Sequence, residues 1–111
     1  MADRLRGKIA VVTGAANGIG QGCAALSAAE GATVIGLDRA ECDLTDEAAV
    51  KAAFARIGAL HGYIDVLVNA AAFAVFDWIE TLSYAAVWLA SDEARYVTGA
   101  DIPVDAGATA W

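Results

Sequence analysis

The sequence predicts an α/β fold, a parallel sheet of about four to five strands flanked by helices, in one domain over residues 1–111. Two observations predict this class. Short apolar, β-branched runs such as residues 8–13 alternate along the chain with longer stretches of helical periodicity. The run at residues 64–68 is mostly apolar and β-branched, which is typical of a parallel strand covered on both faces. A chain of 111 residues suits a single domain.

The first helix is alanine-rich and follows a glycine-rich turn, and the second has Thr45 as its predicted N-cap with acidic residues in the first turn. Along the second helix, apolar residues recur at helical spacing and predict one face for the sheet: Val50, Ala53, Phe54, Ile57 and Leu60. The predicted strands lie near residues 8–13, 33–38, 40–43, 65–69 and 100–104, and the predicted helices near 18–30, 46–60 and 77–93.

A glycine-rich turn, TGAANGIG at residues 13–20, joins the first strand to the first helix. Gly14 permits a tight turn, Gly18 lets the backbone approach a pyrophosphate, and Gly20 lets the helix pack close to the strand. The helix N-terminus offers N–H groups and a positive dipole end to phosphate oxygens. Asp38 ends the second strand at the spacing where a carboxylate meets ribose hydroxyls. This region therefore predicts a nucleotide-binding βαβ unit.

The spacing TGxxxGxG resembles the short-chain dehydrogenase/reductase family. The resemblance covers nearly the whole chain and implies a shortened Rossmann-like sheet that binds NAD. Further matches follow in family order: CDLTD at residues 42–46, DVLVNAA at 65–71, LASDE at 89–93, YVTG at 96–99 and VDAG at 104–107.

The resemblance also implies a set of cofactor-binding residues. Asp43 and Leu44 would line the adenine pocket, and Asn69 and Ala70 would pass along the ribose. Ala72 stands where the family has its next glycine. The turn would contribute Gly14, Asn17, Gly18, Ile19 and Gly20.

Asp38 predicts NAD rather than NADP, because its carboxylate would accept from a ribose diol and repel a 2′-phosphate. Asn17 also lacks the positive charge that NADP-specific relatives often place in this turn. A smaller adenine nucleotide would suit the same crevice.

The family's catalytic segment is missing. Members are longer and carry a Ser, then a Tyr with a Lys four residues later. A phenol near its ordinary pKa of about 10 is a poor proton donor or acceptor at neutral pH without such help. We therefore expect no dehydrogenase mechanism and assign no catalytic residue. Tyr63, Tyr84 and Tyr96 are followed four residues later by Leu67, Trp88 and Ala100, and the only lysines are Lys8 and Lys51.

An internal deletion explains this pattern, with its junction near residues 81–87 inside a fused helix whose Trp78, Leu82 and Leu89 would form one apolar stripe. The deletion removes the family's fifth and sixth strands and leaves the strand near 65–69 as a sheet edge. The strand near 100–104 either moves beside that edge or pairs with another chain. Both alternatives predict self-association as a homodimer or homotetramer.

Three functions stay open. The first is binding of NAD or another adenine nucleotide without hydride transfer. The second is a hydrolase of a nucleotide phosphoester, which would recruit a divalent metal through carboxylates and His61. The third is a structural relic that only self-associates. The simpler interpretation of His61, the only histidine, is a helix C-terminal imidazole stabilised by the helix dipole.

Composition excludes several partners. The net charge is −7 and no cluster of basic residues exists, which argues against binding to nucleic acid or to an anionic membrane surface. No uncharged run reaches the ~18 residues of a membrane span, and the N-terminus lacks a signal-peptide core. These two features predict a cytoplasmic protein. The two cysteines do not make a disulfide framework, and Cys23 is expected to be a small buried apolar residue.

Overall fold

The computed structural model describes residues 3–16, 18–70 and 79–97, with the backbone alone for residues 79–82. Strands and helices alternate along the chain, which confirms the predicted α/β class. The elements are β1 Ile9–Thr13, α1 Gly18–Ala29, β2 Thr33–Leu37, α2 Glu47–His61, β3 Val66–Asn69, α3 Ile79–Ala90 and a short 3-10 helix, Asp92–Ala94.

The three strands form a parallel sheet in the order β2-β1-β3. Thr13 at the end of β1 pairs with Leu37 on one side and with Asn69 on the other, so the carboxyl ends of all three strands lie at one level. Ala10 and Val12 of the central strand are fully buried. This burial is what a parallel strand with helices on both faces requires.

Helices cover both faces of the sheet. On one face, Ala53 and Ile57 of α2 form a core cluster with Val11 and Leu37. Because side chains alternate along a strand, Ala10 and Val12 point to the opposite face. There α1 contacts all three strands, and α3 packs against α1.

The connection after β2 is a turn rather than the strand predicted near residues 40–43. The N–H groups of Glu41 and Cys42 both donate to the carbonyl oxygen of Asp38 at 2.9 Å, and the N–H of Asp38 donates to the Glu41 carboxylate at 2.9 Å. These bonds close the backbone on itself and leave no extended segment, so this predicted strand is wrong. The predicted strand at residues 100–104 lies outside the described residues.

Helix α2 begins one residue later than predicted, because Asp46 and not Thr45 is its N-cap. The Asp46 carboxylate accepts from the N–H groups of Ala48 and Ala49 at 3.0 and 3.4 Å. The Thr45 hydroxyl instead donates to the carboxylate of Asp43 in the preceding loop. The apolar face holds for Ala53 and Ile57, but Leu60 was wrongly assigned to it and is 79% exposed.

Helix α3 is continuous to Ala90, which confirms a single helix in this region, although it ends before the predicted residue 93. Among the side chains of α3 that the structure describes, the buried ones are Ser83 and Val87, one turn apart, and Leu89 of the predicted stripe is not among them. Leu89 is 42% exposed because it lies two residues beyond Val87, on another face of the helix. The side chains of Trp78 and Leu82 lie outside the described residues.

Among the described residues, no helix has both the length and the apolar character needed to cross a membrane. The single-domain assignment, the cytoplasmic location and the junction near residues 81–87 stay predictions.

Candidate functional site

The glycine turn leaves β1 through two left-handed backbone positions. Gly14 has φ of 65° and Gly18 has φ of 62°, a region that L-residues with a side chain adopt at a cost. Helix α1 begins at Gly18, directly after the turn. The backbone therefore forms the tight turn that was predicted from the sequence. Asn17 lies outside the described residues.

Gly20 brings α1 against the end of β1. A Cβ atom at this position would overlap the carbonyl oxygen of Gly14, and would lie 2.6 Å from the carbonyl carbon of Gly14 and 3.1 Å from the carbonyl oxygen of Thr13. No side chain fits there. At Gly18, by contrast, a Cβ would meet no atom of the described residues within 4 Å, so these residues leave open space beside the first turn of α1.

The N-terminus of α1 faces that space with its positive end. The first N–H groups of a helix have no partner inside the helix, and the macrodipole adds a partial positive charge. No acidic residue lies in the first turn to neutralise it, and Ile19 is half-buried. Such an end binds anions, phosphate groups among them.

Thr13 joins the turn to the end of β3. Its side chain is 3% exposed, and its hydroxyl oxygen accepts from the N–H of Ala70 at 3.0 Å. The same oxygen lies 3.4 Å from the carbonyl oxygen of Val68 and 3.5 Å from Oδ1 of Asn69, either of which can accept its proton. The predicted ribose segment, Asn69 and Ala70, is thereby held beside Gly14. This role of Thr13 was not predicted, although a threonine directly before the turn was a usable signal.

The end of β2 completes the same edge. The N–H of Gly14 donates to the carbonyl oxygen of Leu37 at 2.8 Å, which places Asp38 beside the turn. A Cβ on Gly36 would lie 3.0 Å from Cβ of Ala15, so the small residue lets the turn rest against β2. The half-buried Asp38 carboxylate has no hydrogen-bond or ion-pair partner within the described part of the chain.

Asp43 and Leu44 lie in the loop that leaves the carboxyl end of β2. The Asp43 carboxylate accepts from the hydroxyl of Thr45 at 2.6 Å and from its N–H at 2.9 Å. These hydrogen bonds, first that of the Thr45 side chain and then that of its backbone, lower the pKa of Asp43. Leu44 is 40% exposed beside this ordered turn and offers apolar surface at the site's edge.

His61 lies away from this edge. It ends α2, and the residues after it enter β3 at the opposite end of the sheet. There the carboxylate of Asp65, four residues after His61, accepts from the N–H of Ile9 at 2.8 Å. Within residues 3–16, 18–70 and 79–97, no three His, Cys, Asp or Glu side chains are grouped to hold a metal ion. The structure therefore does not bring His61 into the candidate site.

The lysines also lie elsewhere. Lys8 precedes β1 and bonds to the carbonyl oxygen of Ala90 at 3.0 Å, at the amino end of the sheet. Lys51 pairs with Glu47 on the exposed surface of α2 at 2.9 Å. The phenol rings of Tyr63, Tyr84 and Tyr96 are all exposed.

Comparison with known proteins supports the same interpretation. The family model described as RmlD substrate binding domain matches residues 8–100. D-threitol dehydrogenase of Mycolicibacterium smegmatis is 39% identical over 101 residues, which cover 72% of this chain and 39% of that protein.

Two solved structures are similar in fold and sequence. Ligand-free aldohexose dehydrogenase of Thermoplasma acidophilum is 30% identical with a TM-score of 0.60, over 82% of this chain and 45% of that chain. The 3-ketoacyl-(acyl-carrier-protein) reductase of Brucella melitensis, complexed with NADH, is 32% identical with a TM-score of 0.54, over 57% of this chain and 34% of that chain.

The present chain spans less than half the length of each of these relatives. The matches extend across most of its own length, and they agree with the glycine turn and the parallel sheet that the structure shows. The chain belongs to the short-chain dehydrogenase/reductase family.

Proposed function

We propose that this chain binds NAD, or another adenine nucleotide, across the carboxyl ends of β1, β2 and β3 and does not transfer hydride. One observation carries the proposal: the open space at Gly18, the N-terminus of α1 and the Asp38 carboxylate meet at one edge of the sheet. Ligands of open α/β sheets bind at this edge. The NADH complex of the similar Brucella melitensis reductase supports a nicotinamide nucleotide.

Each part of the nucleotide has a matching group. The pyrophosphate would lie before Gly18, where no side chain of the described residues blocks the approach and the helix dipole favours negative charge. The adenosine ribose would donate its hydroxyls to Asp38, and the adenine ring would rest beside Asp43 and Leu44. Asn69, held by Thr13, would border the second ribose.

Asp38 also supports NAD over NADP. Its carboxylate has no partner within the described part of the chain, so it is available to accept from the two hydroxyls of a ribose. A 2′-phosphate would instead bring two negative groups together in a half-buried position, which is unfavourable.

Loss of hydride transfer follows from the missing proton relay. The only lysines in the sequence are Lys8 and Lys51, and both have other partners far from the candidate nucleotide site. In the family a Lys four residues after the Tyr assists its acid–base work, and no tyrosine of this chain has a Lys at that position. We attribute this to an internal deletion with its junction near residues 81–87. No observation favours the hydrolase alternative or its divalent metal.

We also propose that the chain assembles with itself as a homodimer or homotetramer. Leu67 on β3 is 50% exposed, and Trp88 and Leu89 on α3 are 39% and 42% exposed. Trp88 and Leu89 are adjacent on α3, whereas Leu67 faces the α2 side of the sheet, and exposed large apolar side chains favour association. Within the described residues, β3 pairs only with β1, so its other edge is unpaired there.

The test is a calorimetric titration with NAD, NADP, ADP and AMP. We expect saturable binding of NAD and ADP, weaker binding of NADP, and a loss of roughly tenfold or more in affinity for Asp38→Ala, since hydrogen bonds to charged groups contribute about 1.5–3 kcal/mol. Asp3→Ala is the matched control, because Asp3 is exposed in the N-terminal segment, away from the site. Absence of binding at millimolar nucleotide would overturn the proposal.

A further inference from the structure

Lys8 connects the amino end of β1 to the last turn of α3. Its ammonium donates to the carbonyl oxygen of Ala90 at 3.0 Å and to the carboxylate of Asp92 at 3.1 Å. Ala90 is the final residue of α3, and the last carbonyl groups of a helix have no donor within the helix. The cation therefore satisfies one of these groups at the negative end of the helix dipole.

Arg4 supplies a second cation at the same place. Its Nε lies 3.6 Å from the Glu93 carboxylate and 3.8 Å from that of Glu30. Glu30 follows α1, is buried, and also accepts from the backbone N–H of Arg4 at 3.3 Å. The segment before β1 thus holds the end of α1 and the 3-10 helix together.

Contacts between α1 and α3 show that the two helices run in the same direction. The thiol of Cys23 is hydrogen-bonded to Ser83, and Leu26 and Val87 line one cavity of about 180 Å³ further along. The contacts follow the same order in both helices, so α1 and α3 run parallel. Because α3 ends beside Lys8, its first turns lie toward the edge of the sheet that carries the glycine turn.

Few of the described side chains in residues 83–97 are fully buried. Among residues whose side chains are described, those buried between residues 83 and 97 are Ser83, Val87, Ser91 and Ala94, and two of the four are serines. Segments with few buried apolar contacts open before the rest of a domain. The charged contacts at Lys8 and Arg4 therefore add to the packing of α3 on α1 at the end of this segment.

We propose that Lys8 and Arg4 form an electrostatic clasp that holds residues 79–97 on α1, and that weakening the clasp opens this segment while β1, α1 and β2 stay folded. Solvent salt weakens exposed ion pairs, and the Asp92 and Glu93 side chains are 88% and 55% exposed. The attachment of α3 is thus sensitive to ionic strength.

Hydrogen–deuterium exchange of the full chain without nucleotide tests this directly. Lys8→Met should accelerate exchange of amides in residues 83–97 roughly three- to tenfold, the range that helix-end charges and exposed pairs supply. Residues 9–37 should keep their rates. Lys51→Met is the matched control, because it removes an ion pair of 2.9 Å to Glu47 on exposed α2, and it should leave residues 83–97 unchanged.

The second experiment measures the same exchange at raised salt concentration. Raising the salt concentration should accelerate exchange of residues 83–97 in the wild-type chain and much less in Lys8→Met. If Lys8→Met does not fold, Asp92→Asn replaces it, since this variant keeps the bond from Lys8 to Ala90. It should give a smaller acceleration, confined to the same residues. Unchanged exchange in these variants, or equal acceleration in residues 9–37, overturns the proposal.

Discussion

The hydroxyl oxygen of Thr13 accepts a hydrogen bond of 3.0 Å from the backbone N–H of Ala70, across 57 positions of sequence. Thr13 ends β1 and Ala70 follows β3, so one buried side chain ties the glycine turn to the neighbouring strand. Two parts of the candidate nucleotide site are thereby held in a fixed relation before any ligand binds. Such preorganisation lowers the ordering cost of binding.

Thr13→Val should destabilise the chain and weaken nucleotide binding. Valine keeps the shape but leaves the Ala70 N–H without its acceptor, which costs about 1–3 kcal/mol for a buried donor. Urea unfolding measures the first effect and titration with ADP the second. Thr13→Ser is the control, since it keeps the hydroxyl and should stay within about 1.5 kcal/mol of wild type after losing one methyl group. Equal losses in both variants would show that packing, not the bond, matters.

Gly20→Ala should be among the most damaging single-methyl changes in the chain. The added Cβ would meet the backbone of Gly14 and Thr13, and neither can move without displacing the turn. We expect a loss of roughly 1–3 kcal/mol or more, as for overpacking. Gly58→Ala in α2 adds the same atom where nothing lies within 4 Å. It should stabilise by roughly 0.5–1 kcal/mol. Thermal unfolding of both variants compares them, and similar melting temperatures would contradict the contact.

The parts of the fold predicted from sequence are those set by local patterns. The strand before the turn, the alanine-rich helix and the strand at residues 66–69 each have an apolar period or glycine signal of their own. The predicted strand near residues 40–43 failed because three hydrogen bonds around Asp38 and Glu41 form a turn that apolar patterning does not detect. The predicted burial of Leu60 and Leu89 was wrong because the packing of a helix on its neighbour decides which of its apolar residues are buried.

The candidate site shows the same limit. The glycines and Asp38 were identifiable because their spacing along the chain is short and fixed by one βαβ unit. The bond of Thr13 to Ala70 and the contact of Lys8 with Ala90 join positions far apart in sequence. No local pattern encodes such pairings, since they depend on the order of strands and on where α3 ends.

Asp46→Ala should cost about 0.5–2 kcal/mol, because it removes the N-cap of α2. The lost acceptor leaves the N–H groups of Ala48 and Ala49 to water. Thr45→Ala is the informative comparison, since sequence alone favoured that residue as the cap. Its hydroxyl bonds to Asp43 and not to the helix, so we expect a change below about 0.5 kcal/mol, the usual range at exposed positions. Circular dichroism during urea unfolding measures both, and a larger loss for Thr45→Ala would reverse the assignment.

Cys23 should make stability fall at alkaline pH. Burial raises the pKa of its thiol above the ordinary value of 9.0, and the hydrogen bond from Ser83 offsets this only in part. The unfolded chain therefore releases the proton at lower pH than the folded chain. The free energy of unfolding that Cys23 contributes is therefore constant below about pH 9, and stability declines as the pH rises above it. Cys23→Ala should flatten that decline in urea unfolding from pH 8 to pH 10, at a small packing cost. An unchanged slope would mean that the thiol does not ionise differently on unfolding.

The last prediction is that the chain assembles with itself yet shows no reduction of ketones with NADH or NADPH. General acid catalysis contributes about 10²–10⁴-fold, and neither Lys8 nor Lys51 is placed to assist a tyrosine. The exposed Leu67, Trp88 and Leu89 side chains favour burial between copies. Light scattering during gel filtration gives the assembly, and nicotinamide absorbance gives the turnover.

Variants separate the two halves of this prediction. Trp88→Lys should shift the assembly toward the monomer without changing the affinity for ADP, because Trp88 follows the buried turn of α3 and lies away from the glycine turn. Asp38→Ala should weaken the binding of ADP without changing the assembly. A wild-type chain that elutes as a monomer contradicts the assembly argument. Sustained oxidation of NADH by the wild type would mean that a proton donor exists outside the Tyr–Lys arrangement, and its loss in Tyr84→Phe would identify the residue.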